Sequence, residues 1–210
     1  MALNQLLLQS SELFQPLGAV LALPLAPSSS TSGLSRACSS LSLLHWEASH
    51  ALFEQSFLPS AMVLHRAQFE AAVRAVWVFY AANPTEVAKL SATLSAEAEQ
   101  NAKNMAQVKS MLDTLAKVPA AQAPYQSLSR FKEASWSALT SFAHAGIHAV
   151  QRHASGYPET LVEDIVRNSN AIAVLAAMQV AVLAGRQEVV HHVAAFQRTY
   201  AACMPRHVVT

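Results

Sequence analysis

The chain has 210 residues, enough to bury a core without a disulfide or metal staple; 52% of them are hydrophobic, 13% are charged and five are glycine. That composition suits helices packed on helices and supplies too few glycines for the turns of a sheet protein. Fourteen basic against thirteen acidic side chains, a formal charge of +1, exclude a general nucleic-acid binder, which carries a clustered basic excess.

Cys38 and Cys203 lie near opposite ends and form no CxxC or Cys/His pair, as expected of two inert thiols in a reducing compartment. Leu17–Pro27 is interrupted by Pro24, and Ala171–Ala184 contains Gln179, so both runs fall short of the roughly 20 apolar residues of a membrane span. The first 35 residues hold no Lys or Arg and include Glu12, which argues against a secretory leader. A cytoplasmic protein with no membrane span is expected.

Residues 1–15 read as one helix. Pro16–Gly33, with three prolines and a Ser-rich tract, reads as a loop, so that residues 1–33 precede a helical bundle domain over 34–210. Ser35–Gln55 carries Leu41, Leu44, Ala48, Ala51 and Leu52 at helical spacing, and Pro59 suits the first turn of the next helix. Ser60–Ala82 is apolar nearly all round, the mark of a central helix, and stops at Asn83-Pro84. Thr85–Lys117 keeps one apolar stripe and predicts a long outer helix. Pro119 and Pro124 bracket a linker, and Tyr125–Ser155 predicts one helix, or a short one and a long one. Gly156-Tyr157-Pro158 is a stop and restart, before helices over Glu159–Ala184 and Arg186 to about Cys203 that divide at Gly185. The fold expected is all-α, a single-domain up-and-down bundle of six or seven helices.

Three groups of residues carry candidate chemistry. On the central helix Arg66, Glu70 and Arg74 follow at four-residue spacing, a plus-minus-plus ladder on an otherwise apolar helix. Such a ladder is either a solvent edge of modest ion pairs, a buried structural network, or the wall of a cleft where two guanidinium groups grip an anion while Glu70 orients them. Within Glu133–Ser155, Ser141, His144, His148 and Arg152 fall on one helical stripe, opposite a side of small and apolar residues. Small hydroxyls and two histidines in place of Lys and Glu suit a polar cleft or an interhelical seam. A metal shared by His144 and His148 would need a third ligand from another helix, with Glu70 the candidate; the His-Glu-x-x-His form is absent, and no metal or cofactor is expected.

The third group, Arg186-Gln187-Glu188-Val189-Val190-His191-His192, opens the last helix. An arginine four to six residues before a histidine resembles the pattern of the HEPN helical domains, many of them metal-independent ribonucleases. The resemblance implies Arg186 on a scissile phosphate and His191 or His192 in proton transfer, at a dimer interface. A broader pattern, Arg66, Phe69, Glu70, Arg74 and Trp77 followed by Ser141-Phe142-Ala143-His144-Ala145-Gly146 and Arg152, looks like uncharacterised bacterial helical proteins known only as domains of unknown function, over about residues 40–185. It implies a helical fold and a polar cleft, not an activity.

The leading expectation is a cleft between the ladder and the Ser141-His144-His148 stripe that binds a small anionic ligand or a protein partner. A HEPN-like ribonuclease and an oligomerisation module built on residues 1–27 are the alternatives. No Gly-rich phosphate loop and no GxSxG is present, and Ser141 with His144 on one helix lacks an oxyanion site. The apolar excess also leans toward a homodimer.

Overall fold

The computed structural model describes residues 3–26 and 29–206, and among them the chain is all helical, with no strand. Four long helices, α3 (Ser30–Glu54), α4 (Leu58–Tyr80), α8 (Gln122–Ala143) and α10 (Glu159–Leu183), carry the architecture. Shorter ones complete it: α1 (Leu3–Ser11), α2 (Phe14–Leu21), α5 (Pro84–Ser91), α6 (Ala96–Ala102), α7 (Val108–Leu115), α9 (Ile147–Ser155) and α11 (Gln187–Thr199). Short 3-10 turns stand at Pro119–Ala121 and Ala201–Cys203.

At the centre α3 and α4 form a hairpin that turns at Ser56, held at φ 61°, and α10 packs against both. The reason for the close seam lies in α3, where Ser35, Ser39, Ser42, Trp46, Ser49 and Phe53 are all buried at alternating four- and three-residue steps. The small serines let the backbones approach until hydroxyls reach across. Ser35 Oγ donates to the Ala75 carbonyl at 2.7 Å and Ser42 Oγ to the Gln68 carbonyl at 3.0 Å. Alanines 61, 72, 75, 173, 176, 177 and 181 on α4 and α10 are equally buried, for the same reason.

Two apolar clusters flank this centre. One gathers α1, α2 and α11 around α10 and α3, with Leu6, Leu13, Leu17, Trp46, Val180 and Phe196. The other sets α7 and α8 against α4, with Met62, Phe69, Met111, Leu115, Leu128 and Phe142. Helices α1 and α2 are thus part of the core, and the N-terminal segment is tied to the far end of the chain. Asn170 receives the Trp46 indole N–H at 2.9 Å and donates to Ser10 Oγ at 2.8 Å and the Cys203 carbonyl at 2.9 Å. The buried Arg167 guanidinium donates to the Ala202 and Met204 carbonyls.

The six or seven helices expected from the sequence become eleven among the described residues because three are broken. Residues 1–15 divide at Glu12-Leu13, and Pro16 lies in the first turn of α2, so that much of the loop expected over Pro16–Gly33 is helix. Ser29 caps α3, accepting the Ser32 N–H at 3.3 Å; residues 27 and 28 of that loop lie outside the described residues. Thr85–Lys117 divides into α5, α6 and α7, with Ser95 capping α6 through the Ala98 N–H; Leu94 is 91% exposed in the break. The third break, between α8 and α9, falls inside the candidate site.

α10 is 25 residues long with a mean hydropathy of 1.4 over its most apolar window, enough by length and composition to cross a membrane. Since 67% of that window is buried against the other helices, its apolarity is accounted for by the core.

Candidate functional site

The ladder on α4 and the stripe on α8 do meet, at one point. Arg66 donates from one Nη to His144 Nε2 at 3.0 Å and reaches Glu70 Oε1 with the other, also at 3.0 Å. Its guanidinium lies over the Trp136 ring, 4.8 Å from the centroid. With both ends and one face of the cation occupied, the group is an interhelical latch between α4 and α8. Arg74 does not join it. Its charge stands by Cys38 of α3, whose thiol burial pushes up while Arg74 pulls it down, and one Nη of Arg74 is buried without a partner.

The single helix expected over Glu133–Ser155 ends at Ala143. Ala145 turns into the left-handed region at φ 49°, the Gly146 N–H closes back to the Ser141 carbonyl at 2.7 Å, and α9 starts afresh. This is a Schellman ending with alanine at the position that favours glycine. Ser141 Oγ then accepts the His148 N–H at 2.9 Å, a cap for the new helix. A Cβ on Gly146 would stand 2.6 Å from that hydroxyl, so only glycine fits. Ser141 is therefore a joint between two helices. The break ends α8 just before His144 and sets His148 and Arg152 on α9.

What the turn creates is a groove of about 220 Å³ between α4, α8, α9 and α10. Ala138, Leu139, Phe142, Leu161 and Ile165 form its apolar body, and His65, Ser135, His148 and Arg152 supply polar atoms. Arg152 is half-buried and has no carboxylate or hydrogen-bond partner among the described residues, and the His148 ring is equally unengaged. Tyr157 stacks on Phe142 at 6.2 Å; its hydroxyl is buried without a partner, and burial raises its pKa more than nearby Arg152 lowers it.

His65, on the α4 wall, is a site residue that the charge ladder and the polar stripe do not point to. It is 1% exposed, with Nδ1 2.9 Å from Gln68 Oε1, and burial drives its pKa down to about 4. The sequence does carry a signal for it: two hydrogen-bonding residues, His65 and Gln68, three apart on an apolar helix.

Among the described residues no group of three His, Cys, Asp or Glu could hold a metal. His144 and His148 stand on either side of the helix break, and His144 Nε2 already faces a cation. At the start of α11, Arg186 Nε pairs with Glu188 at 2.8 Å, and the His191 ring lies 3.1 Å from the Gln187 amide. A hydrogen bond from its own backbone, then Arg186, lowers the Glu188 pKa. His192 packs edge-on against Phe196. Arg186, Glu188 and His191 all lie on the surface of the chain.

Residues 39–206 match the model of a family of unknown function, DUF6988. No curated protein and no solved structure matches the chain.

Proposed function

This chain belongs to the DUF6988 family of unknown function, and we propose that it binds a small anionic ligand in the groove between α4, α8, α9 and α10. The observation that carries this reading is Arg152, a half-buried guanidinium on the groove wall without an anionic partner among the described residues. A partly shielded guanidinium gains from a carboxylate or phosphate, which it can grip with two parallel N–H bonds. His148 stands beside it as a second donor when protonated, and the apolar body takes the rest of the ligand. At a water's share of liquid, about 30 Å³, the 220 Å³ of the groove hold roughly seven waters, the scale of a small single-ring acid.

Of the residues first expected to bind, His148 and Arg152 keep that role in this proposal. Arg66, Glu70 and His144 hold α4 to α8. The test is an NMR titration of the ¹⁵N-labelled chain with benzoate and phenylacetate. Arg152→Ala is expected to weaken binding roughly tenfold, the worth of one charge-assisted hydrogen-bonded contact, while Arg186→Ala, on the surface beside α11, leaves it unchanged. Equal affinities for Arg152→Ala and the unaltered chain would refute the assignment.

A further inference from the structure

The groove has a second polar feature that an anion does not explain. His65 lines it from α4, almost wholly buried, and the position of its ring proton follows from a chain of hydrogen bonds. The Ser169 carbonyl on α10 can only accept, so the Gln68 atom 2.8 Å from it is the amide nitrogen, and Oε1 faces the other way. Oε1 accepts from the Ser169 hydroxyl at 2.7 Å and lies 2.9 Å from His65 Nδ1. An amide oxygen has no proton to give, so Nδ1 carries the hydrogen.

The ring is neutral near pH 7, because burial disfavours the imidazolium. A neutral ring protonated on Nδ1 leaves Nε2 as a bare acceptor, and no partner for Nε2 is found among the described residues. Phe131, edge-on at 5.2 Å, fixes the ring plane. An acceptor locked in tautomer and orientation, on the wall of a groove and without a protein donor, is suited to a donor that arrives with the ligand.

We infer that His65 Nε2 selects the ligand of this groove, which carries a hydroxyl or N–H group in addition to its anionic group, as a small hydroxy-acid does. The inference rests on the anion reading above and adds a requirement to it. Gln68 and Ser169 are positioning residues, acting through the ring they orient.

The experiment uses the full-length ¹⁵N-labelled chain and four acids, benzoate and phenylacetate with and without a para hydroxyl. Without ligand, long-range ¹H–¹⁵N spectra are expected to show His65 protonated on Nδ1 and bare at Nε2. At least one hydroxylated acid is expected to bind roughly tenfold more tightly than its parent, about the worth of one hydrogen bond to a buried acceptor, and to move the Nε2 resonance. In His65→Leu that preference disappears while the parent acids still bind.

A ring protonated on Nε2 overturns the inference, and so do hydroxylated acids that bind no better than their parents. In both cases the anion reading survives. Binding of none of the four acids overturns both. The spectra of the unaltered chain decide the matter even where His65→Leu fails to fold.

Discussion

Two regions of this molecule set polar side chains among apolar ones, and they differ in what those side chains meet. In the seam of α1, α3, α10 and the C-terminal turn, Asn170 makes three hydrogen bonds, to Trp46, Ser10 and Cys203, and Ser10 passes one on to the Leu6 carbonyl. In the groove beside α9, the exposed His148 ring, half-buried Arg152 and His65 Nε2 have no partner among the described residues, and the Tyr157 hydroxyl, behind Phe142, is buried without one. Around Asn170 protein groups take up the polar atoms, with Ser39 Oγ and Arg167 Nε left over nearby, and such a network serves the fold. An unsaturated one carries a desolvation cost that a ligand can relieve. The α9 helix fits the same contrast, since it buries no residue and leaves Ile147 and Val150 exposed, whereas α10 buries fifteen.

The largest effect expected from this contrast is in the seam. Asn170→Ala strands an indole N–H and a carbonyl in the core, at a cost of about 3 kcal/mol, read as a lower denaturant midpoint. A loss as small as that of an ordinary surface substitution would erase the distinction between the two regions.

His65 supplies the next effect. It takes a proton in the folded chain only near pH 4, against the 6.5 of a free imidazole side chain, so the unfolded chain takes up that proton first as pH falls. Stability is then full above about pH 6.5 and declines toward pH 4 by on the order of 3 kcal/mol. Denaturation midpoints measured across that window check the sign, and His65→Leu is expected to remove this part of the slope. A slope that persists unchanged in the variant means other groups carry it.

The smallest effect is a gain. Ala145→Gly relieves the left-handed conformation at φ 49° between α8 and α9 and is expected to raise stability by about 1 kcal/mol, seen as a higher melting temperature. Because the joint sets the groove, this variant is expected to keep its affinity for the acids. A loss of affinity would mean that the groove depends on strain at this joint.

Much of the fold is legible in the sequence because helical periodicity is a local property. The all-α class, the central position of α4, the restart at Gly156-Pro158 and the division at Gly185 follow from residues a few places apart. The breaks at Glu12-Leu13, Ser91–Ser95 and Ala143–Ile147 escape a reading by periodicity because apolar spacing continues across them. The serine caps at Ser95 and Ser141 are local signs of two of them. For the site, spacing places Arg66, Glu70 and Arg74 on one α4 face and Ser141, His144, His148 and Arg152 on one stripe. In space Arg66 latches to His144, Arg74 lies by Cys38, and Ser141 caps α9.

The sequence by itself determined which segments are helical and which residues are polar enough to matter, since both follow from side-chain chemistry and short-range spacing. Only the tertiary structure decided which polar groups neutralise one another and which are left open. That outcome turns on a left-handed alanine that redirects α9, and on contacts between residues as distant as Gln68 and Ser169. Hydrogen-bond satisfaction is a property of pairs, and pairs separated by about a hundred positions are made by packing.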